Sequence, residues 1–151
     1  MLCKQKRVYC HMQRMGGINN FVMSSDDRVI VSVGQEKKIV VWDSSQPEPV
    51  FSLFLDEEER GGAGDEAEGL AIAMTSDDRF LVTGDSAGVL RVWELIQSQS
   101  QQQPQHKLVR LSSQHVHSKA VTSVAFSKCN KQLVSVGEDG SIFVWWFYPD
   151  K

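Results

Sequence analysis

The sequence lacks the features that would place the protein in a membrane or outside the cell. Its three cysteines, Cys3, Cys10 and Cys129, include no C-x-x-C pair, which argues against a disulfide framework and a zinc site. No apolar run approaches the length of a membrane span; the densest is "IVVW" at 39–42. The basic start "MLCKQKR" has no apolar stretch behind it, so we expect no signal peptide. These absences favour a cytoplasmic protein without membrane contact.

Excess charge of one sign is also missing. The 16 Lys and Arg side chains nearly balance 19 Asp and Glu, giving a net charge of −3 and no general attraction for nucleic acid. The negative charge concentrates in "DEEERGGAGDEAE" at 56–68, which we interpret as a solvated insertion in preference to a binding site for a basic partner. No residue pattern typical of a metal or cofactor site occurs, so we expect neither.

The sequence does contain an internal repeat. Three 23-residue copies align without a gap and place a tryptophan in register in each. Each copy has an apolar strand, a polar turn, a second apolar strand, a turn and a third strand that ends in tryptophan. The copies are "FVMSSDDRVIVSVGQEKKIVVWD" at 21–43, "IAMTSDDRFLVTGDSAGVLRVWE" at 72–94 and "VAFSKCNKQLVSVGEDGSIFVWW" at 124–146.

Further strands complete the first two units. The apolar segments "VFSLFL" at 50–55 and "KLVRL" at 107–111 follow two of the copies, and "RVYCHM" at 7–12 precedes the first. We therefore predict an all-β chain of antiparallel meanders. Its predicted parts are an orphan strand at 7–12, four-stranded units at 18–55 and 69–111, and a partial unit at 120–147. The insertions are the acidic loop at 56–68 and a Gln-rich loop at 96–106, which we predict to be disordered.

Four-stranded units that end in Trp and an acid resemble the blades of WD-repeat β-propellers. Trp42-Asp43 and Trp93-Glu94 match that ending, and Trp145-Trp146 matches it less closely. The resemblance implies about three blades, which form an incomplete propeller or part of a larger one. The stretch "LVSVGEDGSIFVWWFYP" is also similar to the last repeat of cilia- and flagella-associated WD-repeat proteins.

The resemblance also assigns a structural role to four residues of the third copy. In WD repeats the tryptophan indole, a hydroxyl, a histidine and an aspartate form a hydrogen-bonded chain, here Trp145, Ser135, His117 and Asp139. Ser32, Trp42, Thr83 and Trp93 hold equivalent positions. The His position reads Arg14 and Asp65 in the first two copies, and the Asp position reads Glu36 and Ala87, so we expect the second blade to lack this clamp.

A Ser, a His and an Asp could instead form a hydrolase triad. A triad requires a nucleophile beside a base and an oxyanion site, and the sequence has no nucleophile elbow. The hydroxyl recurs in all three copies, even where no histidine is available to activate it. We therefore favour the structural interpretation and predict no catalytic residues.

The WD-repeat resemblance implies a non-enzymatic protein–protein scaffold, with other proteins and the remaining blades of a larger propeller as partners. The predicted contact positions are Arg14, Gln35, Ser86, Lys119, Glu138 and the exposed aromatic Trp146. The similarity to cilia- and flagella-associated proteins implies a structural part in the ciliary or flagellar axoneme, beside microtubule-associated partners. The alternatives are a substrate receptor of a ubiquitin ligase and a regulatory propeller of another multiprotein complex.

Overall fold

The computed structural model describes residues 16–55, 67–98 and 105–149, and these residues form three antiparallel sheets. We call the sheets blades 1, 2 and 3. Blade 1 contains β1 (Ile18–Met23), β2 (Val29–Gly34), β3 (Lys38–Asp43) and β4 (Pro49–Phe54). Blade 2 contains β5 (Gly69–Met74), β6 (Phe80–Asp85), β7 (Val89–Ser98) and β8 (Gln105–His115). Blade 3 contains β9 (Val121–Phe126), β10 (Gln132–Gly137) and β11 (Ile142–Trp146). The predicted all-β meander is confirmed.

A side-chain hydroxyl organises the first turn of every blade. Ser24, Thr75 and Ser127 accept backbone N–H bonds of 2.9, 3.0 and 3.1 Å from the residue that begins the next strand. The last residue of each of these turns has a left-handed backbone, with φ between 58° and 60° at Asp27, Asp78 and Asn130. Asp and Asn tolerate this conformation better than other side chains, which explains why the polar turns "SSDD", "TSDD" and "SKCN" close these hairpins.

The blades share a β-bulge where the first strand begins. Ile18 pairs with Gly34 and Asn20 with Val33, so one residue of β1 has no partner. The same shift occurs between Gly69 and Ala71 in blade 2, and between the partners of Val136 and Gly137 in blade 3. A bulge bends its strand and increases the local twist, so the first strand of each blade begins with the same bend.

The apolar core lies between the blades. One cluster joins blade 1 to blade 2 through Val31, Val33, Ile39, Ile72 and Trp93, all at most 6% exposed. A second cluster joins blade 2 to blade 3 through buried side chains of Ala71, Val82, Leu90, Val121 and Leu133. A sheet that packs on both faces needs apolar residues on both, which accounts for the nearly continuous apolar strands "VIVSVG" and "FLVTGD".

The two ends of the Gln-rich segment at 96–106 differ from their prediction as a loop. Strand β7 continues to Ser98 and β8 begins at Gln105, and the pairing Ile96↔Lys107, Gln97↔His106 and Ser98↔Gln105 continues the hairpin beyond the body of the blade. The segment lacks the apolar alternation by which a strand is recognised, but backbone pairing alone extends an antiparallel hairpin. The predicted orphan strand at 7–12, Arg14, residues 56–66 of the acidic insertion and residues 99–104 lie outside the described residues.

Candidate functional site

Each blade contains the same bond between a tryptophan indole and a hydroxyl on the neighbouring strand. The indole Nε1–H of Trp42 donates to Ser32 Oγ at 2.9 Å, and that of Trp93 donates to Thr83 Oγ1 at 2.9 Å. In blade 3 the bond from Trp145 to Ser135 Oγ is 3.2 Å long. Each pair is diagonal across two antiparallel strands, a spacing within reach of a large aromatic side chain.

In blade 3 this bond continues into a longer chain. His117 is 1% exposed; its Nε2 lies 3.0 Å from Ser135 Oγ, and its Nδ1 lies 3.1 Å from Asp139 Oδ1 and 2.9 Å from Ser141 Oγ. Since Ser135 Oγ accepts the indole N–H of Trp145, its own proton can go to His117 Nε2, and His117 Nδ1–H then donates to Asp139. The structure thus brings all four residues of the predicted chain together.

Asp139 anchors the turn at the end of this chain. Its carboxylate accepts the Ser141 hydroxyl at 2.6 Å, the Ser141 N–H at 3.0 Å and the Ser118 N–H at 3.0 Å. The Ser141 hydroxyl above all, with these backbone N–H groups and His117, holds the pKa of Asp139 well below its ordinary range. The carboxylate is therefore ionised at neutral pH and links β10, β11 and the segment before β9.

This arrangement does not suit a Ser–His–Asp hydrolase. Ser135 has no exposed surface, and its Oγ already accepts a hydrogen bond from the Trp145 indole. A nucleophilic serine must reach a substrate carbonyl beside an oxyanion site. The hydroxyl of Ser135 is instead enclosed within the blade, where it satisfies two other buried polar groups.

Blade 2 has a different anchor, which the sequence comparison did not identify. Asp85, 1% exposed, accepts N–H bonds of 2.9 Å from Ala87 and from Val89, and forms a buried ion pair with Arg91. Asp85 stands where the other copies have Gly34 and Gly137. The sequence did contain a signal for this anchor. Asp85 is charged where the other copies have glycine, and Arg91, of opposite charge, follows six residues later within β7.

A further polar contact, unlike the two anchors above, joins one blade to another, here blade 1 to blade 2. Asp43 at the end of β3 is fully buried, and its Oδ2 lies 2.9 Å from His106 Nε2 on β8 of blade 2. Its Oδ1 accepts the N–H and hydroxyl of Ser45 at 2.8 and 2.5 Å. Burial would raise the pKa of Asp43, but the bonds from Ser45 and His106 outweigh it and lower that pKa to about 2. The partners lie 63 residues apart, so no single repeat reveals them.

Three of the predicted contact positions hold equivalent places on one rim of the blades. Gln35, Ser86 and Glu138 are all exposed and follow the second strand of their blades. Their backbone N–H groups donate to the loop before the first strand, at Gly17, Glu68 and Ala120 over 3.0, 2.9 and 2.9 Å. Lys119, also exposed, precedes Ala120 on that rim.

Trp146 lies away from this rim. It pairs with Gln132 at the start of β10, whereas Glu138 follows the end of that strand, so the two residues occupy opposite ends of blade 3. Trp146 is 66% exposed and stacks on Tyr148 with a centroid distance of 6.3 Å. Phe147 points the other way and packs edge-on against Phe80 and Phe126, at 5.7 and 5.0 Å. The aromatic end of β11 is therefore partly a blade contact and partly an open surface.

Among the described residues, no cluster of three or more His, Cys, Asp or Glu side chains is arranged to hold a metal ion. The same residues contain no helix long and apolar enough to cross a membrane.

Comparison with known proteins relates this geometry to WD repeats. The family model described as "WD domain, G-beta repeat" matches residues 108–145. The chain is 26% identical over 124 residues to "Cilia- and flagella-associated protein 52" of Chlamydomonas reinhardtii, a match that covers 82% of this chain and 17% of that relative. The chain thus spans about a sixth of that protein's length.

Solved structures show the same architecture. The chain superposes on "Crystal structure of RRP9 WD40 repeats" and on "Structure of U3-55K", in each case with a TM-score of 0.67, 26% identity, 87% of this chain covered and 36% of the other. It also superposes on a chain of "Crystal Structure of Mitotic Checkpoint Complex" with a TM-score of 0.64, 15% identity, 85% of this chain covered and 34% of the other. The predicted resemblance to WD-repeat propellers is confirmed: residues 108–145 match the WD-repeat model, and the described residues fold as WD40 propeller blades.

Proposed function

We propose that this chain is a non-enzymatic protein-interaction scaffold that forms part of a larger WD-repeat propeller. The observation that carries the proposal is the structural use of the Ser–His–Asp constellation in blade 3. His117, Ser135 and Asp139 hydrogen-bond one another and Trp145 within blade 3, with Ser135 enclosed. The side chains that suggest chemistry therefore hold the fold, and the exposed polar residues are left for recognition.

The rim carries the recognition surface in this proposal. Gln35, Ser86 and Glu138 present one exposed polar side chain per blade at equivalent positions. Lys119 and Glu138 place opposite charges on blade 3, on either side of the backbone bond from Glu138 to Ala120. A rim of mixed polarity suits a protein partner that offers charges of both signs, because opposite charges set the orientation of docking.

The partner class follows from the cilia-associated relative. The 26% identity to "Cilia- and flagella-associated protein 52" covers most of this chain and supports a place in the ciliary or flagellar axoneme. In this proposal the partners are microtubule-associated proteins of the axoneme. A substrate receptor of a ubiquitin ligase would have the same fold but would capture ligase adaptors.

Affinity capture with the tagged chain from ciliated and non-ciliated cells tests the proposal. We expect axonemal proteins or tubulin from the ciliated cells, and weaker capture when Lys119 and Glu138 are both changed to Ala. The matched control is the variant with Lys107 and Glu48 changed to Ala, since both are exposed and lie off the rim. Both variants should unfold within about 0.5 kcal/mol of the unmodified chain. Recovery of ligase adaptors without axonemal proteins would contradict the axonemal proposal.

A further inference from the structure

The two internal blade contacts obey one size rule. We call Ile18, Gly69 and Val121, which begin the first strands, the entry positions, and Val33, Gly84 and Val136, next to last in the second strands, the exit positions. A Cβ on Gly69 would lie 2.6 Å from the Cβ of Val33, and a Cβ on Gly84 would lie 2.7 Å from the Cβ of Val121. Each contact thus pairs one valine with one glycine, because two branched side chains would overlap there.

The first turns follow a second rule. Asp78 in blade 2 accepts the N–H of Ser25 in blade 1 at 2.9 Å and also its hydroxyl. Asn130 in blade 3 accepts the N–H of Ser76 in blade 2 at 3.0 Å and returns a bond of 2.6 Å to its hydroxyl. At each contact the left-handed turn residue of one blade binds the turn of the preceding blade.

The outward face of blade 3 repeats the surfaces that are buried inside the stack. Val134, Val136, Ile142 and Val144 align with residues of blade 1 that pack on blade 2. Those counterparts, Val31, Val33, Ile39 and Val41, are at most 1% exposed, whereas Ile142 and Val144 are 68% and 63% exposed. In the first turn of blade 3, exposed Lys128 stands where the preceding blades have Ser25 and Ser76.

We infer that this face receives a further propeller blade that carries glycine at its entry position and an aspartate or asparagine in its left-handed turn. The exit residue Val136 is a valine like Val33, and Val33 is accommodated by Gly69. The turn residue Lys128 favours an acidic acceptor over the amide that Ser76 meets. The inference rests on the proposal that the chain is part of a larger propeller.

The same rules exclude the chain's own first blade as that neighbour. A second copy docked head to tail would place Asp27 beside Lys128, which satisfies the turn rule, since Asp27 is exposed and has the left-handed φ of 59°. It would also place Ile18 against Val136, two branched side chains where each internal contact has a glycine. In a head-to-tail contact between two unmodified chains, the charges of the turn residues are therefore complementary, but the side chains at the entry and exit positions are too large.

A gain-of-association variant tests the size rule. Sedimentation velocity over a concentration series would compare the unmodified chain with Ile18→Gly and with the matched control Ile18→Val. We expect the glycine variant to self-associate about tenfold more tightly than either, since relief of such an overlap typically corresponds to that factor. Ile18 is 52% exposed, so its removal should weaken any association driven by apolar area alone. The expected direction is thus opposite to that of non-specific aggregation.

Two further variants keep the test decisive. Val136→Gly places the glycine on the other partner and should give the same gain, so a folding defect in one variant does not prevent a result. The double variant should associate more weakly than either single variant, because two glycines leave a hole. In the Ile18→Gly background, Lys128→Glu should abolish the gain by facing Asp27 with a like charge.

The inference is overturned if both glycine variants associate no more tightly than the unmodified chain, or if the unmodified chain already forms the tight head-to-tail contact. Either result would leave the rim-capture experiment to be judged separately, because that experiment varies the exposed side chains of Lys119 and Glu138 and measures capture of other proteins, whereas the present test varies Ile18 and Val136 and measures self-association. Loss of rim capture, conversely, would leave the size rule intact.

Discussion

Blades 2 and 3 reach the same backbone geometry with different chemistry. Both keep the bond from a tryptophan to a hydroxyl, and both anchor the turn between their second and third strands with a buried or half-buried aspartate. Blade 3 completes the anchor with the hydrogen-bonded chain through His117, whereas blade 2 uses the ion pair of Asp85 with Arg91. The comparison indicates that blades 2 and 3 both hold this turn with an aspartate acceptor and differ in the side chain that pairs with it.

The two anchors should respond differently to loss of one member. Asp85→Ala in blade 2 should lower the free energy of unfolding by about 3–5 kcal/mol, since it leaves the Arg91 charge buried without its carboxylate. Urea denaturation measures the change. The double variant Asp85→Gly with Arg91→Val gives blade 2 the residues that blade 1 has at Gly34 and Val40. It should recover more than half of the loss, and a double variant as unstable as Asp85→Ala would contradict the ion-pair account.

Loss of the hydrogen-bonded chain in blade 3 should lower the free energy of unfolding by somewhat less. His117→Ala should destabilise the chain by about 2–4 kcal/mol, because it opens a cavity beside Phe143 and leaves the buried Ser135 hydroxyl without its acceptor. His115→Ala is the control, since the His115 side chain is exposed and hydrogen-bonds the Ala87 carbonyl at the surface. We expect that variant to unfold within about 0.5 kcal/mol of the unmodified chain. Equal effects of the two substitutions would contradict the role of His117 as the buried link of the chain in blade 3.

The contact of Asp43 with His106 between blades 1 and 2 should make the free energy of unfolding depend on pH. The pKa of Asp43 is lowered to about 2 in the folded chain from an ordinary value of 3.8. A lowered pKa stabilises the fold above pH 3.8, and this contribution, about 2 kcal/mol, is lost as the pH falls toward 2. The difference in unfolding free energy between the unmodified chain and Asp43→Asn should shrink over that interval. A difference independent of pH would contradict the assignment.

The sequence predicted what is contained within one repeat. Trp42, Trp93 and Trp145 with their hydroxyl partners were predictable, since each pair lies in one copy at a fixed spacing. The contact of Asp43 with His106 was not predictable in this way, because it joins two blades. The two side chains meet only through the way in which blades 1 and 2 pack. The extension of β7 to Ser98 was missed because a polar strand edge has no apolar alternation.

The central claim is that the three repeat tryptophans are architectural and equivalent, and hydrogen exchange at the indole N–H groups tests it most directly. NMR spectroscopy can follow the four Nε1–H signals of Trp42, Trp93, Trp145 and Trp146 after transfer to deuterium oxide. We predict slow exchange for the first three, whose N–H groups bond to Ser32, Thr83 and Ser135, and fast exchange for Trp146, which is 66% exposed. Fast exchange at all four indoles would contradict the account.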